Sequence, residues 1–270
     1  MADLIDVAAR VTQALPERLG TRLGWHIGQH ASRKTRIARL RTGGRVAADV
    51  GDHLHRHMFF RGEYEPTATQ FLRRVATPGW SVVDVGANVG YFSVLAADLG
   101  GPSSRVLAFE PHPRLAGMLE LTARHNPGDI CVQVAACGSE SGTARLYVSP
   151  EDRNSGLGSL RSDLHDTKSV EVSVLRLDDC CQERNLRPDL VKIDAEGYEL
   201  EVLRGCGDLL ERRVPRNFLI ELSPQREDPA RVIALLAGHG YAASQIRSDG
   251  SLQPVEKIAD AYEDVCFRRV

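Results

Sequence analysis

The chain has 270 residues, of which 42% are hydrophobic and 26% charged, a composition typical of a folded globular protein with one large domain or one domain and an extension. Its formal net charge of -2 gives no overall basic field for nucleic acid, and no apolar run approaches the roughly 20 residues that span a bilayer. The six cysteines include no CxxC pair, which argues against a zinc site and a disulfide framework and predicts reduced thiols in the cytoplasm.

Residues 1–60 are predicted to form a mainly helical, basic extension without the continuous apolar core of a secretory signal. We expect it to pack on the main domain or to form a homodimer contact, with an acidic partner as the alternative. Within it, His53, His55 and His57 alternate, so a strand would present all three on one face. A surface strand or a lining of the acceptor site is the favoured interpretation, and a metal site is the alternative.

From about residue 70, short apolar runs alternate with amphipathic stretches, which predicts a parallel sheet covered by helices on both faces over residues 61–270. Two further β-like runs near the C-terminus form a hairpin that makes the last strand antiparallel. A hairpin with a long polar loop is inserted at about 143–178. The expected strands of the main sheet are 81–86, 105–111, 130–137, 190–197, 217–224, 242–248 and 262–270.

The stretch VDVGANVGYF, residues 83–92, places a glycine-rich turn directly after the first of these strands. A dinucleotide turn would have glycine where this chain has Asn88, a residue that also tolerates positive φ. The carboxylate of Asp84 would repel a pyrophosphate but attract an amino group and a sulfonium. Glu110 follows Gly86 by 24 positions, where a carboxylate accepts hydrogen bonds from ribose hydroxyls. The alternative for Glu110 is an exposed strand-end acid or a helix cap. Together these residues favour S-adenosylmethionine over a nicotinamide cofactor.

A second chemical centre is the stretch KIDAEG, in which Asp194 and Glu196 follow another strand. A carboxylate there is suited to remove a proton from an alcohol, or the pair holds a divalent cation that lowers the alcohol's pKa. Alternatively, Asp194 binds the cofactor's amino group or caps the next helix, and Glu196 is a first-turn helix acid. Lys192 is expected to pair with one of these acids. Glu221, at the end of the next strand, is a candidate acceptor contact.

Three ordered stretches, VDVGANVGYFS, AFEPHP and VKIDAEGYELEVLRG, resemble the FkbM family of S-adenosylmethionine-dependent methyltransferases over about residues 60–225, with GEYEP at 62–66 resembling the family's lead-in. The resemblance implies a class I, Rossmann-like fold with a seven-stranded sheet and a reversed last strand. It implies methyl transfer, most often to an oxygen of a natural product, sugar or lipid-linked glycan. The cofactor-binding residues expected from the residues and the resemblance are Asp84, Gly86, Ala87, Asn88, Gly90, Tyr91, Phe92, Glu110, Pro111, Ala136 and Asp194.

The loop from Glu151 to Lys168 is glycine-rich, so we expect either a lid that contributes acceptor contacts or a plain surface loop. The candidate acceptor contacts are Asn154, Ser155, His165 and Glu221. The sequence therefore predicts a methyltransferase that acts on a hydroxyl of a small molecule or sugar. A nicotinamide-dependent oxidoreductase and a non-catalytic S-adenosylmethionine-binding protein are the alternatives. Nucleic-acid methylation is disfavoured because no basic face and no Asn/Asp-Pro-Pro-aromatic motif is present.

Overall fold

A computed structural model of the chain describes residues 4–31, 34–148, 159–160, 168–225, 228–255 and 263–270. The helices in these ranges are α1 (Leu4–Ala14), α2 (Glu17–Gln29), α3 (His53–Arg61), α4 (Pro66–Val75), α5 (Tyr91–Gly100), α6 (Pro113–Arg124), α7 (Leu177–Glu183), α8 (Glu199–Arg204), α9 (Gly207–Glu211) and α10 (Pro229–Gly238). None of the described helices is long and apolar enough to cross a bilayer.

The strands in the same ranges are β1 (Thr35–Arg39), β2 (Arg45–Asp49), β3 (Ser81–Val85), β4 (Arg105–Phe109), β5 (Asp129–Gln133), β6 (Ala136–Cys137), β7 (Gly142–Val148), β8 (Lys168–Leu175), β9 (Leu190–Ile193), β10 (Asn217–Leu222), β11 (Tyr241–Ile246), β12 (Leu252–Pro254) and β13 (Glu263–Arg269).

The main sheet has the order β12-β11-β13-β10-β9-β3-β4-β5 within the described ranges. Strands β5, β4, β3, β9 and β10 are mutually parallel, and β13 lies antiparallel between β10 and β11. This confirms the predicted class I fold with its reversed last strand. The short edge strand β12, which the sequence analysis did not predict, pairs with β11 and extends the seven expected strands to eight.

The central strands are buried on both faces, as their continuous apolar runs predict. One core cluster packs the face that carries Val83, Val191 and Phe218, and a second packs the opposite face that carries Val82, Leu190 and Leu219. Successive side chains of a strand point to opposite faces, so each strand contributes to both clusters. The sheet is therefore a rigid platform, and its strand ends are fixed points on which a site can be built.

The inserted hairpin is present as the antiparallel pair of β7 and β8, which with β6 forms a separate three-stranded sheet among the described residues. The expectation of one continuous strand over 130–137 is wrong at its end. The chain leaves the main sheet after Gln133, and Ala136 and Cys137 pair with β8 instead. This break places the small residue Ala135 between the two sheets and Ala136 at the start of the second one.

The described part of the N-terminal region contains three helices and the β1–β2 hairpin, which was not predicted. The expected strand at His53–His57 is wrong, because these residues begin helix α3. Asp52 caps that helix by accepting hydrogen bonds from the backbone N–H groups of Leu54 and His55. Helical spacing separates the histidines: His55 is fully buried, while His57 is exposed. The shared histidine face on which the metal alternative rested is therefore absent.

Candidate active site

A cavity of about 240 Å³ lies beyond the carboxyl ends of β3, β4, β9 and β10. Parallel α/β sheets bind ligands at this edge, because the loops that leave the strands converge there. Most residues predicted to bind the cofactor line it. These residues are Gly86, Ala87, Asn88, Tyr91, Phe92, Glu110, Pro111, Ala136 and Asp194, and the predicted catalytic or acceptor residues Glu196 and Glu221 also line it.

The glycine turn, residues 85–91, forms the floor of the cavity. Gly86 has a φ of 75°, and a Cβ atom at this position would overlap the carbonyl oxygen of Asp194. Only glycine meets both demands, a left-handed backbone and close approach to the neighbouring chain. The backbone N–H groups of Gly86 and Ala87 both donate to the carbonyl oxygen of Phe109. Asn88 has a φ of 51°, the left-handed conformation expected from its sequence position.

Glu110 lies at the end of β4 and is only 6% exposed. Its two carboxylate oxygens accept hydrogen bonds from the backbone N–H groups of Asn88 (2.9 Å) and His112 (2.8 Å). Burial raises the pKa of this carboxyl to about 8, although the two N–H donors act in the opposite direction. Because each oxygen of a carboxylate has two acceptor sites, both retain acceptor capacity for hydroxyl groups of a ligand.

Asp84 and Gly90, both expected at the cofactor, do not line the cavity. The carboxylate of Asp84 is 1% exposed and accepts a hydrogen bond of 2.6 Å from the hydroxyl of Ser93. Its other oxygen, Oδ1, has no hydrogen-bond partner among the described residues. Burial raises the pKa of the Asp84 carboxyl group. A Cβ at Gly90 would meet the side chains of Leu119 and Thr122. Gly90 therefore permits close packing of helix α6, and Asp84 lies behind the cavity wall.

Lys192 supplies a positive charge at the β9 end of the cavity. Its ammonium group lies 3.1 Å from Oδ2 of Asp194 and 4.8 Å from the ring centre of Phe92, while its strand position is in register with Asp84. Burial alone would lower the pKa of Lys192, but the carboxylates of Asp194 and Asp84, with those of Glu65 and Asp264, outweigh it and raise the pKa. Lys192 is therefore a permanent cation in a buried, acidic setting.

Asp194, Glu196 and Glu221 form the acid cluster, in which one oxygen from each residue lies within 4.8 Å of the others. The strand expected over residues 190–197 ends at Ile193, so Glu196 lies beyond it. Glu196 has a φ of 53°, and its carbonyl oxygen accepts a hydrogen bond from the hydroxyl of Ser159. The charge of Asp194, followed by burial, raises the pKa of Glu221 to about 10. This shift favours the neutral carboxylic acid form of Glu221, which can donate a hydrogen bond.

Several residues of the cavity were not among the candidates from the sequence. Tyr64 lines it, with its ring in edge contact with Tyr91, and burial raises its pKa. The GEYEP stretch was the available signal for this residue. Leu54 and Met58, one helical turn apart on α3, also line it, and nothing in the sequence marks them as site residues. The site therefore includes part of the N-terminal region.

Asn154, Ser155 and His165, the expected acceptor contacts of the long loop, lie outside the described residues. From the same loop, Ser159 and Leu160 are described. Residues Ser159 and Tyr147 form an isolated antiparallel bridge, and Leu160 lines the cavity. Whether the loop acts as a lid stays a prediction.

Comparisons with known proteins show the family to which the chain is related. The family model described as the Methyltransferase FkbM domain matches residues 84–243. The 31-O-demethyl-FK506 methyltransferase FkbM of Streptomyces tacrolimicus is 32% identical over 192 residues, which cover 61% of this chain and 73% of that protein. Methyltransferase 1 of Beauveria bassiana is 30% identical over 187 residues, which cover 62% of this chain and 74% of that protein.

A third relative and one solved structure extend the comparison. The hexuronic acid methyltransferase AglP of Haloferax volcanii is 28% identical over 155 residues, covering 57% of this chain and 60% of that protein. The crystal structure of methyltransferase FkbM from Methylobacillus flagellatus superposes with a TM-score of 0.52 at 16% identity. The match covers 76% of this chain and 48% of that chain, so this chain spans about half the length of that structure. This structural likeness shows the fold.

Proposed function

Because the chain belongs to the FkbM family of S-adenosylmethionine-dependent methyltransferases, we propose that it methylates a hydroxyl oxygen of a small molecule, natural product or sugar. The observation that carries this proposal is the carboxylate of Asp194, which faces the cavity beside the glycine turn and is held by Lys192. Two relatives, named for 31-O-demethyl-FK506 and for hexuronic acid, support an oxygen acceptor and a sugar-like or natural-product substrate.

The described residues fit S-adenosylmethionine. Glycine at position 86 lets the turn lie against the carbonyl group of Asp194 at the edge of the cavity, and the acceptor capacity of Glu110 suits the two hydroxyls of a ribose. Ala135 and Ala136, both buried and small, leave room at the cavity wall for a flat ring. We assign the ribose to Glu110, the adenine to the Ala136 side, and the methionine portion to the turn and Asp194.

When bound, S-adenosylmethionine supplies both an electrophilic methyl group and its own leaving group. The protein must align the acceptor oxygen and receive its proton. In our proposal, Asp194 accepts that proton on a carboxylate oxygen, while Lys192, bonded to Oδ2, keeps the carboxylate oriented toward the cavity. Asp84 acts indirectly, because its negative charge behind the wall helps to keep Lys192 protonated.

The other two members of the acid cluster are assigned to the acceptor. Glu221, kept neutral by the adjacent charge of Asp194, is suited to donate a hydrogen bond to an acceptor oxygen. Glu196 is assigned to orient a hydroxyl group. A divalent cation between these acids is the second candidate for activating the alcohol, and the 4.8 Å grouping of their oxygens is the observation that favours it.

A two-step experiment tests the proposal. Calorimetry with S-adenosylhomocysteine and S-adenosylmethionine measures cofactor binding, and mass spectrometry then measures the gain of one CH2 unit across hydroxylated natural products and sugars. We expect both cofactors to bind and at least one alcohol acceptor to be methylated. Absence of cofactor binding would contradict the proposal. Binding without turnover on any acceptor would instead favour the non-catalytic alternative, and NADH binding would favour the oxidoreductase.

A further inference from the structure

Helix α3 of the N-terminal region places a buried histidine behind the glycine turn. His55 is fully buried, and its ring makes two hydrogen bonds to residues outside its own helix. The backbone N–H of Asp49 donates to Nδ1 at 3.1 Å, and Nε2 lies 3.1 Å from Oδ1 of Asn88. His55 thus joins the end of β2 to the cofactor turn.

The two contacts define the tautomer of the ring. Since Nδ1 accepts a hydrogen bond from a backbone N–H, the ring proton lies on Nε2, which donates to the amide oxygen of Asn88. The ring is neutral because burial lowers the pKa of His55, an effect that outweighs the nearby negative charge of Asp52. Asp52 is also fully buried and caps α3, which fixes the position of the helix and of the ring that it carries.

The partner of this histidine is a central residue of the turn. Asn88 adopts a left-handed backbone conformation, lines the cavity, and donates its backbone N–H to Glu110 at 2.9 Å. Its side-chain amide is held from behind by His55 while its backbone holds the carboxylate assigned to the ribose. Loss of the His55 contact would therefore alter the cofactor site by displacing Asn88, without any direct contact between His55 and the ligand.

We propose that His55 is a positioning residue for S-adenosylmethionine, which acts by fixing the Asn88 amide and hence the glycine turn. The N-terminal region is then part of the cofactor site, with the Asp52–His55–Asn88–Glu110 chain of hydrogen bonds as the link. This inference rests on the proposed cofactor site, and the experiment below separates a failure of one from a failure of the other.

The experiment is a double-mutant cycle measured by calorimetry with S-adenosylhomocysteine. His55→Leu removes both ring contacts, and Asn88→Gly removes the amide while retaining the backbone N–H and tolerating the positive φ. We expect each single variant to weaken binding about tenfold. The double variant should bind as Asn88→Gly does, because His55 acts only through Asn88. His57→Leu, an exposed position two residues along the same helix, is the matched control and should bind as wild type does.

His55→Gln keeps a donor near the position of Nε2, so it should bind more tightly than His55→Leu. A structural role alone would give additive losses in the cycle and no rescue by glutamine. Additive losses, or wild-type affinity in His55→Leu, would overturn the inference and leave the proposed function standing. If His55→Leu does not fold, the cycle is run with His55→Phe, which fills the space of the ring but has neither nitrogen, and the same additivity criterion applies. If the wild-type protein binds no S-adenosylhomocysteine, the proposed function and this inference both fail.

Discussion

At the β3–β4 end of the cavity, the carboxylate of Glu110 is held by two backbone N–H groups, whereas at the β9–β10 end the carboxylate of Asp194 is held by the ammonium group of Lys192. The first arrangement depends on the conformation of a turn. The second depends on a balance of buried charges, in which Glu65, Asp84, Glu221 and Asp264 also take part.

The difference supports the two roles that we propose for the ends of the cavity, cofactor binding at one and proton transfer at the other. Backbone donors have fixed positions, which suits the binding of a cofactor that is the same in every reaction cycle. Interacting carboxylates and an ammonium group have shifted pKa values, which suits the transfer of a proton. Variants that disturb the turn should therefore affect cofactor binding, and variants that disturb the charges should affect stability or turnover.

The largest effect is expected for Gly86→Ala, which disrupts the turn at the β3–β4 end of the cavity. The added Cβ would overlap the carbonyl oxygen of Asp194 at a residue with φ of 75°. We expect a loss of about 3 kcal/mol or more in the free energy of unfolding, and no S-adenosylhomocysteine binding by calorimetry. Gly117→Ala is the matched control. It lies in helix α6 with open space around its Cβ position, so the free energy of unfolding should rise by about 0.5–1 kcal/mol. Normal binding in Gly86→Ala would contradict the assignment of the turn.

Lys192→Met tests the charge balance of the other end. It leaves the buried carboxylate of Asp84 and the partly exposed carboxylate of Asp194 without their cation, so we expect a loss of about 3–5 kcal/mol in the free energy of unfolding, measured with denaturant. Adding Asp84→Asn should restore part of that loss, since one buried negative charge is removed. Arg204→Met breaks a partly exposed ion pair with Glu201 and should cost less than about 1 kcal/mol. If Lys192→Met and Arg204→Met lost the same free energy of unfolding, the proposed role of Lys192 would be contradicted.

Asp194→Asn separates turnover from cofactor binding. The amide keeps the shape of the carboxylate but cannot take the proton from the hydroxyl group that is methylated, so kcat should fall about 100-fold or more. The Kd for S-adenosylhomocysteine should change much less. Asp179→Asn, at a half-exposed acid of helix α7, is the control and should leave both quantities unchanged. An unchanged kcat in Asp194→Asn would show that another group removes the proton.

Glu110→Gln should alter the pH dependence of stability. The pKa of Glu110 is raised to about 8 in the folded protein, above its value of about 4.3 in the unfolded chain, so the folded state binds the additional proton. Its stabilising contribution is fully present below about pH 4.3 and is lost as the pH rises through about 8, at about 1.4 kcal/mol for each unit of difference.

Thermal denaturation between pH 5 and pH 8.5, without cofactor, measures this contribution. The wild-type melting temperature should fall more steeply with rising pH than that of Glu110→Gln. Cofactor affinity should rise over the same interval, because the ionised carboxylate is the better acceptor for ribose hydroxyls. Parallel melting profiles would contradict the raised pKa.

The smallest effect is expected on removal of divalent cations. Since Lys192 already places a positive charge 3.1 Å from Asp194, dialysis against EDTA should leave kcat within about twofold of its starting value. A loss of turnover that Mg²⁺ or Mn²⁺ restores would instead establish a cation within the acid cluster, and the two ends of the cavity would then differ in metal dependence as well.

Much of the cofactor end could be predicted from the sequence, because its determinants are local. The apolar run of β3, the glycine at 86 and the left-handed Asn88 follow from neighbouring residues, and each constrains the backbone directly. The spacing to Glu110 is likewise a property of one strand, one helix and the next strand. Asp84 shows the limit of this reasoning, since its strand position was read correctly but its side chain faces away from the cavity.

The other determinants could not be predicted because they join residues far apart in the chain. The histidines at positions 53, 55 and 57 suggested a strand, yet a helix capped by Asp52 begins there. Of these three histidines, only His55 is buried. The contact of His55 with Asn88 spans 33 positions, and no local pattern encodes it. The contribution of Leu54 and Met58 to the cavity has the same origin, because α3 reaches the site only after packing.

The sequence by itself determined the family, the sheet with its reversed last strand, and the glycine turn that lines the cavity, because hydrophobic periodicity and backbone constraints act over a few residues. Only the tertiary structure decided which acids share Lys192, which carboxylates stay neutral, and which histidine supports the turn. Those properties depend on burial and on distances between side chains of different elements, and both arise only when the strands and helices are assembled.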